Sequence, residues 1–197
     1  MKRNLLILGK GSHSHVIVEQ CRYGIPPVLK EGVPGPGTAV EYDPSDWSVF
    51  VAIGSARHRK KCLLAFEEMG YDIINIISDR AYVSPTAELG KGIYVAPMAC
   101  IQSHSIIGDG CIINTHASVD HDCELGPFVH IAPGVHMGGT VTVGEETWIG
   151  VGSSINDHIN IGKDIMVGSG SVIVDDLRFD GCLYMGHPAV YKGTYGW

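Results

Sequence analysis

The segment Asp120-His121-Asp122 places one imidazole between two carboxylates. A carboxylate beside a histidine fixes the tautomer of the ring and raises its basicity, which suits a general base that works near neutral pH. Five other histidines lie in the same stretch of the chain: His104, His116, His130, His136 and His158. We therefore expect acid–base chemistry in this stretch, with His121 as the first candidate for the base.

Two glycine turns, Gly9 to His13 and Gly54-Ser55, each follow a short apolar run. The first lacks the third glycine of the dinucleotide fingerprint, because Ser14 stands in its place, so NAD binding is not supported. Either turn alone also fits a tight connection between a strand and a helix. The basic run from Arg57 to Lys61 follows the second turn, and helix N-termini favour phosphate groups. Together these features predict the binding of a phosphorylated small molecule.

An apolar residue recurs at every sixth position between Val83 and Ile173, without a break in the frame. A second uncharged series lies two residues ahead of the first, from Ala81 to Ser171. A strand alternates between its two faces with a period of two, so a hexad with two inward positions describes a short strand and a corner. Repeating hexads predict a parallel β-helix. The histidines of this stretch all lie outside the inward positions.

A longer period of eighteen residues runs through the same region. Its markers are glycines that each follow an inward residue: Gly90, Gly108, Gly126, Gly144 and Gly162. Three hexads therefore make one coil, and about five coils build a triangular prism. We expect glycine at this corner because the backbone takes a positive φ there, which only glycine adopts at little cost.

The first eighty residues have a different pattern. Strands are predicted over Leu5–Leu8, Val49–Ile53 and Ile73–Ile77, and helices over Val16–Tyr23 and from the N-cap Ser55 to Met69. Alternating strands and helices predict a small parallel α/β domain over residues 1–80 that resembles half of a Rossmann fold. The β-helix and a C-terminal tail then occupy residues 81–197. Ligands of such α/β domains bind beyond the carboxyl ends of the strands, where both glycine turns lie.

The formal net charge of −7 argues against nucleic acid and against an anionic membrane surface as partners. No apolar run is long enough to span a membrane, and the run after Met1-Lys2-Arg3 is too short for the core of a signal peptide. The six cysteines form no Cys-x-x-Cys pair, so no metal site is expected. Cys111 and Cys123 fall on inward positions of the hexads, where small thiols pack well. We therefore expect reduced cysteines in a cytoplasmic protein.

The segment from Ile113 to Cys123, followed by Gly126 and His130, resembles the catalytic region of the PglD/NeuD-type sugar acetyltransferases. Members of this family also end in a Gly-x-Pro-Ala segment, which is Gly186-His187-Pro188-Ala189 here. The resemblance extends over nearly the whole chain and implies a small α/β domain, a left-handed β-helix of hexapeptide repeats and a homotrimer. It also implies an acetyl-CoA-dependent N-acetyltransferase of glycan biosynthesis. The acceptor that it implies is a nucleotide-linked amino sugar, with a 4-amino-4,6-dideoxy sugar expected.

The resemblance also implies roles for individual residues. His121 is the general base, and Asp122, where relatives often carry glutamate, raises its basicity. The residues implied to contact acetyl-CoA are His130, Val151, Ser169 and Gly139, of which Gly139 is a candidate donor to the oxyanion. The residues implied to hold the nucleotide sugar are Gly11, Ser12, His13 and Gly54. Relatives often place two aspartates that help to bind the nucleotide where this chain has Lys30-Glu31-Gly32.

Three other interpretations fit parts of the sequence. An O-acetyltransferase that acts on a sialic acid or another sugar would need the same base, because its acceptor is a hydroxyl group. A γ-class carbonic anhydrase is also a left-handed β-helix trimer, and the spacing His116-x4-His121 matches one pair of its zinc ligands. A purely structural β-helix would give no reason for His121 to stand between two carboxylates.

Overall fold

The computed structural model of the chain describes residues 4–9, 11–21, 28–30 and 41–195. Several residues that the sequence singles out lie outside the described residues: Met1-Lys2-Arg3, Lys10 of the first glycine turn, the end of the helix predicted over Val16–Tyr23, and Glu31-Gly32. The described part comprises a four-stranded sheet with two helices, followed by a β-helix.

The N-terminal sheet has four parallel strands in the order β2-β1-β3-β4. Its strands are β1 (Asn4–Leu8), β2 (Val28–Lys30), β3 (Trp47–Val51) and β4 (Asp72–Ile73), and its helices are α1 (Ser12–Gln20) and α2 (Ala56–Glu68). Leu6 and Leu8 pack into one apolar cluster, while Leu5 and Ile7 pack into another. Strand β1 is thus covered on both faces, as central parallel strands usually are. Neither helix is long and apolar enough to cross a membrane, nor is any other helix among the described residues.

The β-helix has three faces of short strands. Face A consists of β7 (Glu88–Leu89), β10 (Ile106–Ile107), β13 (Glu124–Leu125), β16 (Thr142–Val143) and β19 (Asn160–Ile161). Face B consists of β5 (Ile76–Ile77), β8 (Tyr94–Val95), β11 (Ile112–Ile113), β14 (His130–Ile131), β17 (Trp148–Ile149), β20 (Met166–Val167), β22 (Cys182–Met185) and β23 (Val190–Thr194). Face C consists of β6 (Tyr82–Val83), β9 (Cys100–Ile101), β12 (Ser118–Val119), β15 (His136–Met137), β18 (Ser154–Ile155) and β21 (Val172–Ile173). Within each face, strands eighteen residues apart pair in parallel, which confirms the prediction of three hexads per coil. Among the strands of these three faces, β23 alone pairs antiparallel, with β22.

Three predicted boundaries are wrong. Strand β3 spans Trp47–Val51 rather than the predicted Val49–Ile53. Helix α1 begins at Ser12 rather than Val16, because extended Gly11 serves as its N-cap. The run predicted as one strand over Ile73–Ile77 is divided, since β4 joins the N-terminal sheet and β5 pairs with β8 of face B. Face B therefore begins ahead of residue 80, and the division of the chain into 1–80 and 81–197 stays a prediction.

The inward positions of the hexads form one continuous core. From Ile93 to Ile173 both series are buried, including the polar members Ser105, Thr147 and Ser153. Full burial of one aliphatic side chain contributes about 1.5–3 kcal/mol. The hexad series is therefore the main source of stability in the β-helix, and its inward orientation is confirmed.

Most corners of the β-helix contain one residue with left-handed backbone. From position 92 to position 170, every sixth residue has φ between 53° and 69°. Five of these residues are glycines: Gly92, Gly110, Gly134, Gly152 and Gly170. The other nine carry side chains, among them His104, His116 and Asp122. Because this conformation costs a residue with a side chain about 1 kcal/mol or more, the stacking of the coils must impose it.

The glycines spaced by eighteen residues do not have positive φ, so the reason predicted for them is wrong. The structure shows a close approach between coils instead. A Cβ on Gly126 would lie 2.7 Å from the backbone nitrogen of Glu145, and a Cβ on Gly108 would lie 2.7 Å from that of Pro127. Glycine is required at this corner because the backbone of the next coil occupies the space of a side chain.

Cysteine chemistry in the β-helix is limited by burial. All six cysteines lie in the described part of the chain and are unpaired. Cys111 and Cys123 are buried in the core as predicted, and burial raises the pKa of the Cys111 thiol to about 12. That thiol is protonated at neutral pH and is therefore not a nucleophile.

Two glycine substitutions should separate close packing from backbone conformation. Gly126→Ala must push two coils apart and should cost about 3 kcal/mol of stability, as in an overpacked core. Gly134 has positive φ, yet a Cβ there would have its nearest neighbour at 4.0 Å. Asparagine tolerates this conformation, so Gly134→Asn should cost about 1 kcal/mol or less. Thermal unfolding, followed by circular dichroism at a fixed protein concentration, measures the stability of both variants. A larger loss of stability in Gly134→Asn than in Gly126→Ala would contradict the packing explanation.

Candidate active site

His121 and Asp122 lie on the corner that connects face C to face A, between β12 and β13. Nδ1 of His121 is 2.8 Å from Oδ2 of Asp122, where Nδ1–H donates to the carboxylate. Asp120 Oδ1 accepts a hydrogen bond from the backbone N–H of His121, also at 2.8 Å. The two aspartates thus act on different groups of one residue: Asp122 orients the ring and Asp120 fixes the backbone.

The environment of His121 favours its protonated form. The hydrogen bond to Asp122 raises the pKa of His121 above its usual range, and the charges of Asp120 and Asp122 add to this effect. The ring is 58% exposed, so solvent and a substrate can reach it. Because Nδ1 is committed to Asp122, Nε2 is the nitrogen that accepts a proton. This is the arrangement of a general base with an orienting carboxylate.

Gly139 occupies the place of His121 in the next coil, where the N–H of Thr140 donates to the carbonyl of His121 at 2.9 Å. A Cβ on Gly139 would lie 2.5 Å from Cε1 and 2.6 Å from Nε2 of the His121 ring. Any side chain at this position would therefore displace the ring. The residue implied to stabilise the oxyanion thus lies beside the implied base.

A cavity of about 260 Å³ opens between the start of α2 and face B. Its lining residues are Gly54, Ser55, Ala56, His130, Glu146, Thr147 and Trp148. Gly54, implied to hold the nucleotide sugar, and His130, implied to contact acetyl-CoA, therefore share one cavity. Ser55 is the N-cap of α2 as predicted, but its hydroxyl makes no capping hydrogen bond.

His130 lies in the wall of this cavity and stays uncharged. Its Nε2 is 3.2 Å from Nδ2 of Asn114, and its ring centroid is 6.3 Å from that of Trp148. Burial, with the positive charge of Arg59 as a second cause, lowers the pKa of His130 to about 3. The ring is therefore neutral near pH 7 and can bind a ligand through a hydrogen bond without changing charge.

The first glycine turn reaches the same region through His13. The ring centroid of His13 lies 6.4 Å from that of His130 and 5.8 Å from that of Tyr94. Burial lowers the pKa of His13 to about 4. Within the described part of the chain, its buried Nε2 and the Tyr94 hydroxyl have no hydrogen-bond partner. Gly11 and Ser12 of this turn are exposed.

Three side chains of the basic run at the start of α2 are bound to other groups of this chain, so they do not support a phosphate-binding cluster, and the binding of a phosphorylated molecule stays a prediction. Arg59 is buried and donates to the carbonyls of Gly110 (2.7 Å), Phe128 (2.8 Å), Ile53 (2.8 Å) and Gly54 (2.7 Å). Lys60 pairs with Glu146 at 2.5 Å, and Arg57 pairs with Asp164 at 2.8 Å. These side chains instead fix α2 to the corner between faces A and B.

The remaining predicted residues lie on other corners. Val151 and Ser169 are exposed and one coil apart, on the corner between faces B and C. His121 and Gly139 lie on the corner between faces C and A, which is opposite face B in a three-sided prism. One chain alone therefore does not bring His121 to the cavity lined by Gly54 and His130.

The cavity also contains residues that the sequence analysis missed. Trp148 pairs with His130 in register on face B, so the eighteen-residue repeat could have found it. Glu146 has no comparable signal, because its place in the cavity depends on how α2 packs against the β-helix.

The described residues contain no cluster of side chains that could bind a metal ion. No three His, Cys, Asp or Glu side chains among them are arranged to hold an ion. His116 lies on the corner between faces B and C, whereas His121 lies on the corner between faces C and A. The geometry of one chain thus gives the zinc interpretation no support.

A parallel β-helix of hexads with an exposed histidine–aspartate pair on one corner is typical of the hexapeptide-repeat acyltransferases. No family model matches the chain. The acetyltransferase domain of PglB from Neisseria gonorrhoeae FA1090, solved with acetyl coenzyme A, is 32% identical with a TM-score of 0.90, over 98% of this chain and 100% of that one. PerB from Caulobacter crescentus, solved with CoA and GDP-perosamine, is 36% identical with a TM-score of 0.88, over 96% of this chain and 97% of that one.

Among curated proteins, the GDP-perosamine N-acetyltransferase of Escherichia coli O157:H7 is 28% identical over 109 residues. That match covers 55% of this chain and 49% of the relative, so the chain spans about half the length of this curated relative. The solved structures match over nearly the full length at more than 30% identity. The chain therefore belongs to the PglB- and PerB-type sugar acetyltransferases of the hexapeptide-repeat superfamily, a family of enzymes that use acetyl-CoA. The predicted resemblance is confirmed.

Replacing Asp122 by asparagine should lower the pKa of His121, because the amide lacks the negative charge that favours the imidazolium. A general base works when it is unprotonated, so the rate falls as pH drops through its pKa. The acid limb of kcat/KM for thiol release from acetyl-CoA should therefore move to lower pH in Asp122→Asn. Asp157→Asn is the matched control, since it removes a similar charge from His158, whose Nδ1 lies 3.0 Å from Oδ2 of Asp157. An equal displacement in both variants would contradict the assignment.

Proposed function

We propose that this protein transfers the acetyl group of acetyl-CoA to the amine of a nucleotide-linked amino sugar, with a 4-amino-4,6-dideoxy sugar as the acceptor. The observation that carries the proposal is the exposed His121–Asp122 pair, with Gly139 packed against the ring. The relatives that bind acetyl-CoA, CoA and GDP-perosamine support the choice of both substrates.

In the proposed reaction, the amine nitrogen attacks the thioester carbonyl and Nε2 of His121 takes the proton that the nitrogen loses. Asp122 stabilises the resulting imidazolium through Nδ1–H. The tetrahedral oxyanion is stabilised by the backbone at Gly139. The C–S bond then breaks, and His121 returns its proton to the leaving CoA thiolate. No covalent acyl-enzyme forms, so no cysteine is required.

The proposal includes a homotrimer with shared sites. Because His121 lies on the corner opposite the cavity of its own chain, the cavity of one chain needs a histidine from another chain. Acetyl-CoA would lie in the groove between two chains, against Val151 and Ser169 of one of them. Gly11, Ser12, His13 and Gly54 would hold the nucleotide sugar, with its amine directed toward His121 of the neighbour.

Four further features belong to the same proposal. The coils are left-handed, and residues 1–80 form a Rossmann-like domain that binds the nucleotide sugar, which the order β2-β1-β3-β4 of a parallel sheet supports. The protein acts in the cytoplasm, in accord with six unpaired cysteines. His130 binds acetyl-CoA as a neutral group, because its pKa lies far below 7.

His121→Ala should lower kcat by about 100-fold to 10,000-fold, the usual effect of losing a general base. Thiol release from acetyl-CoA measures it, with circular dichroism and size-exclusion chromatography as checks on folding and assembly. His158→Ala is the matched control, since His158 forms a comparable exposed pair with Asp157. Near-normal transfer by a folded His121→Ala protein would overturn the proposed mechanism.

A panel of acceptors should identify the substrate class. We expect nucleotide-linked 4-amino-4,6-dideoxy sugars to give the highest kcat/KM, well above free amino sugars, because the N-terminal domain binds the nucleotide. Thiol release with each acceptor, followed by mass spectrometry of the product, distinguishes amide from ester formation. A clear preference for sialic acid would favour the O-acetyltransferase instead.

A further inference from the structure

Several inward positions of the β-helix hold a hydroxyl or a thiol rather than an aliphatic side chain. Each donates a hydrogen bond to the carbonyl fifteen residues further along, at a corner of the next coil. The pairs are Ser105 with Asp120 (2.6 Å), Cys111 with Gly126 (3.2 Å), Cys123 with Gly138 (3.2 Å), Thr147 with Gly162 (2.8 Å) and Ser153 with Gly168 (3.2 Å). These buried groups fix the corners from inside the prism.

Ser105 holds the corner that carries the candidate base. Its hydroxyl donates to the carbonyl of Asp120 and accepts from the N–H of Cys123 at 3.2 Å. The two bonds therefore lie on either side of His121 and Asp122. Ser105 is fully buried, so it contacts no substrate.

We propose that Ser105 is a positioning residue for the His121–Asp122 pair, an inference that rests on the proposed function. Its hydroxyl fixes both ends of a short loop in which Asp122 has left-handed backbone, with φ of 56°. The backbone carbonyl of Asp120 is held by Ser105, and the carboxylate of Asp120 in turn accepts a hydrogen bond from the backbone N–H of His121. Removing the hydroxyl leaves the part-buried carbonyl of Asp120 and the buried N–H of Cys123 without this partner, and movement of the loop relieves that cost. Such movement displaces the ring from Asp122 and from the acceptor amine.

Ser105→Ala tests this role against Cys111→Ala. The control removes an equivalent bond to Gly126, whose corner carries none of the proposed site residues. Ser105→Ala should lower kcat roughly 10-fold to 100-fold, the usual effect of losing a group that orients a catalytic residue. KM for both substrates should stay unchanged, and the acid limb of the pH profile should move to lower pH because the contact with Asp122 weakens. Cys111→Ala should lower the unfolding temperature but leave kcat and the pH profile unchanged.

Ser105→Cys provides the conservative variant and a second measurement should Ser105→Ala fail to fold. Cys111 and Cys123 show that a thiol makes the same bond at 3.2 Å. The variant should therefore keep most of the activity, with a smaller displacement of the acid limb. Equal effects of Ser105→Ala and Cys111→Ala on kcat and on the pH profile would overturn the positioning role. If Ser105→Ala is unfolded, a pH profile of kcat/KM in Ser105→Cys that equals that of the unsubstituted protein would overturn it as well. A fully active His121→Ala protein would instead overturn the proposed function itself.

Discussion

Every feature of the β-helix depends on one constraint: each coil must repeat the path of the coil before it, about 4.8 Å away. Because a coil has eighteen residues, each strand residue pairs with residues eighteen positions before and after it. Inward side chains therefore stack into columns, and the backbone of each corner approaches the backbone of the next. The buried hexad series, the left-handed corner residues and the close-packed glycines all follow from this repeat.

The same stacking assembles the candidate site from residues that are far apart in sequence. Gly139 covers the His121 ring because the two residues occupy the same place in adjacent coils. Ser105 reaches the corner of His121 from inside the prism for the same reason. Loops are normally the mobile parts of a fold, yet this corner is held from within and packed from the next coil. A base held in place before the substrate binds needs less reorganisation at the moment of proton transfer.

The sequence predicted features that depend on local pattern and missed those that depend on packing between distant segments. The strict six-residue period of apolar residues predicts the β-helix. The contact of His121 with Asp122 follows from their adjacency in the chain. A glycine at position 126 is compatible both with positive φ and with close packing of the backbone. Only the structure of the stacked coils shows that close packing requires glycine there. A basic run is usually solvated, and only the docking of α2 on the β-helix shows that Arg59 is enclosed among carbonyls.

The histidines show that environment, more than residue type, separates a base from a ligand-binding group. His130 and His13 are enclosed near Arg59, so their pKa values fall well below 7 and their charge stays constant. His121 is exposed beside a carboxylate, and its pKa is raised. In the proposed trimer a second chain closes over His121, and desolvation then lowers its pKa. The hydrogen bond to Asp122 opposes that decrease, because the carboxylate favours the imidazolium form of His121.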